Sequence, residues 1–218
     1  FKDTKEIKNK FLSKTFYVGL PMYKNTRNYK KTNFKIPSKF EKIKLLVFGG
    51  SQAASKLSES IVYMLTKLSI NYQKLIYLTI QVPEKDIENI KTKLNNSEIE
   101  YEINTFYTDL LSKISRSHLC ICRAGSSTIN ELIQLKAPSI LVPLPSAVGN
   151  HQYYNAKFLS DKNGAIIIDE KDLLKKESFN ILEKYILNPS SLRRMFTNLS
   201  SIDELDSNEL MYNNIYNI

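Results

Sequence analysis

From residue 44 onward, short apolar runs alternate with amphipathic stretches, and this alternation constrains the fold more than any other feature of the chain. The pattern predicts strands at 44–48, 75–79, 101–103, 118–122, 139–142 and 165–168. It predicts helices at about 53–68, 84–94, 109–115, 126–136 and 151–161, with further helices to the end. Apolar strands separated by helices are typical of a parallel sheet that is covered on both faces. We therefore predict an α/β fold with a Rossmann-like, doubly wound parallel sheet.

Length and composition are consistent with one large domain. The chain has 218 residues, 42% of them hydrophobic, and it begins with Phe1 rather than Met, so we expect a fragment or a processed piece. No run approaches the ~20 apolar residues of a membrane helix, and the first residues do not resemble a signal peptide. Two cysteines without a disulfide framework are typical of a reducing, cytoplasmic location.

The net charge of +9 raises the question of an anionic partner. The lysines are scattered along the chain, and it carries no RNA-binding signature, zinc finger or basic stripe with interleaved aromatic residues. We therefore expect no nucleic acid partner. A weak attraction to an anionic membrane surface is the more plausible consequence of the charge.

The segment after the predicted strand at 118–122 is the strongest candidate for a binding site. Gly125 is followed by three consecutive hydroxyl residues, Ser126, Ser127 and Thr128, at the start of a predicted helix. The first N–H groups and the positive end of a helix dipole favour a phosphate or diphosphate there. Glu131, about one and a half turns further, can accept hydrogen bonds from a ribose diol. The alternative is that Ser126 is an ordinary N-cap and Glu131 a solvated residue.

Two further loops lie at the same predicted edge of the sheet. Gly49 and Gly50 follow the first strand and would let the backbone approach a ligand, with a hydroxyl donor at Ser51. The segment is not a GxGxxG motif, so we expect no dinucleotide site, and a simple turn is the alternative. In the second loop, Asn150 can cap a helix, which would leave His151 and Gln152 exposed for sugar hydroxyls. A plain capped helix is the alternative there.

The predicted strand at 118–122 also raises the question of zinc, because His118, Cys120 and Cys122 alternate along it. Same-face residues of a strand are about 6.6 Å apart, whereas two zinc-bound sulfurs can be at most about 4.6 Å apart. We therefore expect these side chains to pack in the core, and we expect neither a metal ion nor a cofactor. No Ser-His-Asp set or carboxylate pair stands out.

Taken together and in order, these segments resemble the carboxyl-terminal half of the MurG family. The matching segments are Gly49–Ala53, Cys122–Glu131, Ala137–Pro143, His151–Gln152 and Asn155–Ala156, and the resemblance covers about residues 40–170. Members of that family transfer N-acetylglucosamine from UDP-GlcNAc to a lipid-linked muramyl-pentapeptide. The resemblance implies one half of a GT-B glycosyltransferase, in which two Rossmann-like domains face each other and the carboxyl-terminal one holds the nucleotide sugar.

The resemblance also implies a set of donor-binding residues. These are Ser51, Gln52, Phe106, Tyr107, Arg123, Ser126, Ser127, Thr128, Glu131, His151 and Gln152. By resemblance, the hydroxyls at 126–128 and Ser51 would hold the diphosphate with Arg123 nearby, and Glu131 would bind the ribose. The aromatic pair at 106–107 would pack on uracil, and the pair at 151–152 would meet the sugar and its phosphate.

The resemblance covers only the carboxyl-terminal half of the family, so we expect the family's amino-terminal domain to be missing from this chain. By resemblance, that domain would carry the acceptor loops, the membrane-facing patch and the catalytic base, so we expect no catalytic residue in this chain and no transfer activity from it alone. We interpret residues 1–39 as an inter-domain arm, 40–200 as the UDP-sugar domain and 201–218 as a helical tail that packs on the missing domain. The segment Val18–Tyr23 resembles the family's hinge, but Leu20 and Tyr23 replace its Asn and Arg.

The sequence thus predicts the donor-binding part of an inverting transferase of peptidoglycan synthesis, which converts lipid I to lipid II. Its partners would be UDP-GlcNAc and a lipid-linked acceptor held by the missing domain, in cis or in trans. It would lie peripherally on the cytoplasmic face of the bacterial inner membrane. The alternatives are a non-catalytic nucleotide- or partner-binding module derived from such a transferase, or another UDP-sugar enzyme such as an epimerase.

Overall fold

A computed structural model describes residues 15–16, 24–29, 34–35, 37–38, 41–49, 54–202 and 207–216. Six strands form one sheet, and every neighbouring pair is parallel. The strands are β1 (Ile43–Phe48), β2 (Ile76–Gln81), β3 (Glu100–Asn104), β4 (Leu119–Cys122), β5 (Ser139–Leu141) and β6 (Ala165–Ile167). Their order is β3-β2-β1-β4-β5-β6. The predicted doubly wound α/β fold is therefore confirmed.

Helices connect the strands and cover both faces of the sheet. They are α1 (Ala54–Thr66), α2 (Ile70–Gln73), α3 (Ile87–Asn95), α4 (Leu110–Arg116), α5 (Ser126–Gln134), α6 (His151–Ser160), α7 (Lys176–Leu187), α8 (Pro189–Ser200) and α9 (Ser207–Tyr216). The short helix α2 was not predicted. The helix predicted from residue 84 begins as a 3-10 turn, Glu84–Asp86, and continues as α3.

The strand β2 is longer than the alternation predicted, ending at Gln81 rather than residue 79. It pairs with a neighbour on each side, with Ile80 opposite both Val47 of β1 and Ile103 of β3. The pairing with β3 continues to Gln81 and Asn104, two polar residues. Ladder hydrogen bonds from the neighbouring strand therefore extend β2 past the end of its apolar run.

The core lies on both faces of the sheet, as continuous apolar strands require. In β1, Leu45 and Val47 contribute to one buried cluster, while Leu46 and Phe48 contribute to the other. This alternation follows from the two-residue period of a strand. All four side chains are buried, so β1 lies at the centre of the molecule.

Part of the segment before β1 packs on this domain. Phe34 is buried, with its ring 6.0 Å from that of His118 and 5.7 Å from that of Phe196. The backbone carbonyl of Tyr29 accepts a hydrogen bond of 2.7 Å from the Ser115 hydroxyl. The hinge-like segment at 18–23 lies outside the described residues.

At the other end of the chain, α9 presents apolar side chains to solvent. Tyr212, Ile215 and Tyr216 are 61%, 64% and 70% exposed. Within the described ranges, no helix combines the length and the hydropathy that crossing a bilayer requires. The division of the chain into arm, domain and tail remains a prediction.

Candidate functional site

The described segments that carry the predicted site lie at the carboxyl edge of the sheet, beside the switch point between β1 and β4. The chain leaves β1 toward β2 on one side, and β4 lies against the other side of β1. Ligands of open parallel sheets bind in the crevice outside such a point. The predicted residues Ser51 and Gln52, in the loop after β1, lie outside the described residues, and their role stays a prediction.

The helix α5 begins at this edge with its N-terminus uncapped by any side chain. Gly125, and not Ser126, occupies the N-cap position, with φ −62° and ψ 151°, and makes no side-chain cap hydrogen bond. Ser126 and Ser127 are exposed and Thr128 is half-buried. The first N–H groups of a helix have no intrahelical acceptor. The structure therefore brings three hydroxyls and these donors together, as the sequence predicts.

Two side chains of α6 hold the turn that precedes α5. The Gln152 Oε1 atom accepts hydrogen bonds from the backbone N–H groups of Ala124 (3.3 Å) and Leu144 (3.0 Å). The buried Asn155 amide donates to the Ala124 carbonyl at 3.0 Å. Gln152, which was predicted as a sugar contact, thus binds the N–H group of Ala124, while Asn155 binds its carbonyl.

His151 is exposed at the start of α6, as predicted. Its Nδ1 atom lies 2.8 Å from the Val148 carbonyl oxygen. Since a carbonyl only accepts, Nδ1 carries the proton and, in the neutral ring, Nε2 is the acceptor. Asn150 occupies the N-cap position but adopts the left-handed conformation, with φ 52°, and makes no side-chain cap hydrogen bond. The predicted Asn150 cap is therefore wrong, because that backbone conformation differs from the extended one of a capping residue.

Glu131 lies in the second turn of α5 and is half-buried. Burial raises the pKa of its carboxyl group, because removal from water disfavours the charged form. A carboxylate accepts hydrogen bonds only, so it is suited to hydroxyl donors such as a ribose diol. Its role as a ribose contact stays a prediction.

Arg123 is buried rather than open to the crevice, with 5% of its side chain exposed. Its Nη1 atom donates to the Val142 carbonyl at 3.2 Å and lies 3.5 Å from that of Pro143, and its Nη2 atom lies 2.5 Å from Glu170 Oε2. Lys56 Nζ lies 2.8 Å from the other carboxylate oxygen of Glu170. The guanidinium predicted near the diphosphate thus faces the loops after β5 and β6.

Sequence reasoning missed Glu170. It lies in the charged run Asp169–Asp172, which is indistinguishable from a solvated loop in the sequence. Burial raises the pKa of Glu170, but hydrogen bonds from Lys56 and Arg123 and their charges outweigh this and lower it below its ordinary value. The carboxyl group is therefore held as a carboxylate.

The predicted aromatic pair after β3 divides between solvent and core. Phe106 is 66% exposed, whereas Tyr107 is only 6% exposed and its hydroxyl lies 3.3 Å from the carbonyls of both Ile80 and Glu102. Burial is the main cause that raises the pKa of Tyr107. Of the two rings, Phe106 is the one that the structure leaves open to a base.

The alternating His and Cys side chains at 118–122 pack in the core or bind the backbone of a neighbouring strand. The backbone N–H of Lys44 donates to His118 Nδ1 at 2.9 Å, and Cys120 and Cys122 are buried. Among the described residues, no group of three or more His, Cys, Asp or Glu side chains is placed to hold a metal ion.

Comparison with known proteins decides the family. Residues 44–209 match the family described as the glycosyltransferase family 28 C-terminal domain. The chain belongs to this family. Family members with curated names include proteins 32% identical to this chain in Bradyrhizobium sp. (strain BTAi1) and 34% identical in Zymomonas mobilis. Both are named UDP-N-acetylglucosamine--N-acetylmuramyl-(pentapeptide) pyrophosphoryl-undecaprenol N-acetylglucosamine transferase.

The family 28 chain spans about half the length of these curated relatives. The matches cover 90% of this chain and 53% of the Bradyrhizobium protein, and 86% and 48% for Zymomonas mobilis. Among solved structures, Acinetobacter baumannii MurG superposes with a TM-score of 0.73 at 25% identity, over 87% of this chain and 56% of that one. The glycosyltransferase WaaG, at 20% identity and a TM-score of 0.58 over 89% and 52%, shares the fold.

Proposed function

We propose that this family 28 chain is the donor-binding part of a transferase that moves N-acetylglucosamine from UDP-GlcNAc to a lipid-linked peptidoglycan precursor. The observation that carries the proposal is the uncapped N-terminus of α5 beside the switch point, with Glu131 in the next turn. A diphosphate and a ribose are joined in UDP-sugars. The names of the relatives at 32% and 34% identity support UDP-GlcNAc as the donor.

In this proposal the chain acts on the leaving group. As the bond between the sugar and UDP breaks, negative charge grows on the diphosphate, and the N–H groups and dipole of α5 stabilise it. Glu131 holds the ribose, and Phe106 offers a face to the base. Gln152 and Asn155 keep the Ala124 turn in place. The general base and the acceptor site belong to an amino-terminal domain supplied in cis or in trans, so the isolated chain does not turn over.

Isothermal titration of the chain with UDP, UDP-GlcNAc and ATP tests the proposal. We expect modest binding of UDP and UDP-GlcNAc and no N-acetylglucosamine transfer by the chain alone. Binding of ATP as tight as that of UDP would contradict the proposal, because a phosphate site without base selection would bind both. Inorganic diphosphate is the control that separates binding of the phosphates from binding of the nucleoside.

The same chemistry supports a peripheral location on the cytoplasmic face of the membrane, where a lipid-linked acceptor is found. The net charge of +9 favours contact with anionic headgroups. The alternative is a non-catalytic module that binds the nucleotide without transfer. Adding the amino-terminal domain of a relative distinguishes the two, since only a donor-binding part would then restore transfer.

A further inference from the structure

One buried guanidinium connects the segments that follow four different strands of the sheet. Arg123 directly follows β4, and it donates to the carbonyl of Val142, beyond β5. Its partner Glu170 lies in the 3-10 turn beyond β6. The same carboxylate binds Lys56 in the first turn of α1, the helix that follows β1. Through Arg123 and Glu170, the segments that follow β1, β4, β5 and β6 are therefore connected at the carboxyl edge of the sheet.

The side chains of Arg123, Glu170 and Lys56 differ in burial, and so they contribute differently to this network. The side chains of Arg123 and Glu170 are 5% and 10% exposed, whereas that of Lys56 is 64% exposed. A buried charge that loses its partner is strongly destabilised, while an exposed ion pair contributes little. Arg123 therefore depends on Glu170, and Lys56 contributes from the solvent side.

Arg123 is also bonded covalently to the residue that α6 holds. Ala124 has its N–H bound to Gln152 and its carbonyl bound to Asn155. The ion pair with Glu170 holds the residue before Ala124, and the N-cap residue of α5, Gly125, follows Ala124 directly. The direction of the first α5 N–H groups is thus set from two sides, by α6 and by Glu170.

We propose that Glu170 is a positioning residue for anion binding at α5, acting through Arg123. It does not touch the nucleotide. It keeps the Arg123 side chain against the loops after β5 and β6, and so keeps the turn at 124–126 in the orientation that aims the helix N–H groups at a diphosphate. The ligand in this inference, a diphosphate, rests on the proposed function. The effect of Glu170 on the conformation of residues 124–126 does not.

The substitution Glu170→Gln separates positioning from simple electrostatics because the two predict opposite signs. Removing a negative charge near an anion site would tighten UDP binding if Glu170 acted only through its charge. If Glu170 positions the turn, we expect UDP binding to weaken by about tenfold or more and uridine binding to change by less than about twofold. Uridine lacks the diphosphate and does not report on the turn. Titration followed by amide NMR measures both ligands.

Two further variants complete the test. Glu88→Gln removes the same charge from a side chain that is 87% exposed on α3, and it should leave UDP binding unchanged. Lys56→Gln leaves the Arg123 pair in place and should weaken UDP binding by less than Glu170→Gln. Should Glu170→Gln fail to fold, Glu170→Asp keeps the charge on a shorter side chain, and UDP binding should fall between the wild type and the expected tenfold loss.

The ligand-free spectrum keeps this test independent of the proposed function. In Glu170→Gln without nucleotide, the amide resonances of Ala124, Gly125 and Ser126 should shift, while those of α3 should not. Unchanged resonances, or UDP binding that is equal or tighter, would overturn the inference and leave the proposed function standing. A wild-type chain that fails to bind UDP would instead contradict the proposed function, and the amide shifts alone would then decide on the positioning of the turn.

Discussion

At the scale of single residues, Glu131 combines two requirements that oppose each other. Burial raises the pKa of its carboxyl group, yet a ribose diol is held best by the charged form, since charge-assisted hydrogen bonds are the stronger ones. The folded protein therefore binds a proton at Glu131 more tightly than the unfolded chain does. Its stability from this group is greatest at low pH and falls as the pH rises through the raised pKa.

We expect UDP-GlcNAc binding to strengthen as the pH rises through the Glu131 titration and then to level off, with protons released on binding. Glu131→Ala should remove this dependence and weaken binding by about ten- to a hundredfold, the equivalent of roughly 1.5–3 kcal/mol for a hydrogen bond to a charged group. Calorimetric titration in buffers of different ionisation enthalpy measures both effects. Glu131→Gln, which keeps an acceptor, is the control, and it should not lower the melting temperature. A lower melting temperature with unchanged affinity would show a structural role.

At the scale of elements, α5 is a helix whose first N–H groups receive no side-chain cap. Its N-cap residue is glycine in an extended conformation that any capping residue adopts. A Cβ atom added at Gly125 would meet Thr128 Oγ1 at 3.8 Å, an ordinary contact. The backbone therefore does not require glycine at this position, and under the proposed function glycine leaves room and uncapped donors for an anion.

We therefore expect Gly125→Asp to stabilise the protein and to abolish UDP binding. The carboxylate would cap the N–H groups of α5, and a side-chain cap stabilises a helix by about 0.5–2 kcal/mol, but it would occupy and repel the diphosphate. Gly125→Ala adds the Cβ atom alone and should retain most of the UDP binding. Thermal unfolding with and without UDP measures the two effects separately. If Gly125→Asp still bound UDP, the phosphates would have to bind somewhere other than the N-terminus of α5.

The elements also show what could be predicted from the sequence. Continuous apolar runs fixed the positions of the strands, because only a sheet covered on both faces buries them. The start of α5 was predictable because Gly125 and Ser126 lie a few residues after such a run. The Arg123–Glu170 pair was not, since 47 positions separate the partners and only the fold brings them together. The sequence also could not predict that Phe106 is exposed while Tyr107 is buried, because adjacent aromatic residues look alike until the surrounding core is known.

At the scale of the whole molecule, the chain ends in a helix with few buried residues. Among the described residues of α9, Ser207 alone is buried, and Tyr212 and Tyr216 stack with ring centroids 4.5 Å apart at the surface. A helix stabilised by so little tertiary packing opens readily. This supports the prediction that the tail packs on an amino-terminal domain.

We expect amide hydrogens after residue 207 to exchange fast in the isolated chain, and much more slowly after the amino-terminal domain of a relative is added. Hydrogen exchange read by mass spectrometry measures both states. The helix α1, which packs on the sheet, is the internal control and should be protected in each. Strong protection of α9 in the monomeric chain would show that it is stable by itself and would favour a chain that acts without that domain.

The strand order has a consequence for how the molecule reaches its folded state. The two halves of the sheet meet along β1 and β4, and the hydrogen bond between Lys44 and His118 spans 74 positions of the chain. Such a closure is slow, because the entropy of the loop is lost before the contacts form. The crevice that we propose for the nucleotide lies across this junction, so neither half contains it by itself. A nucleotide that binds there acts on the completed fold and withdraws molecules from every partly assembled state.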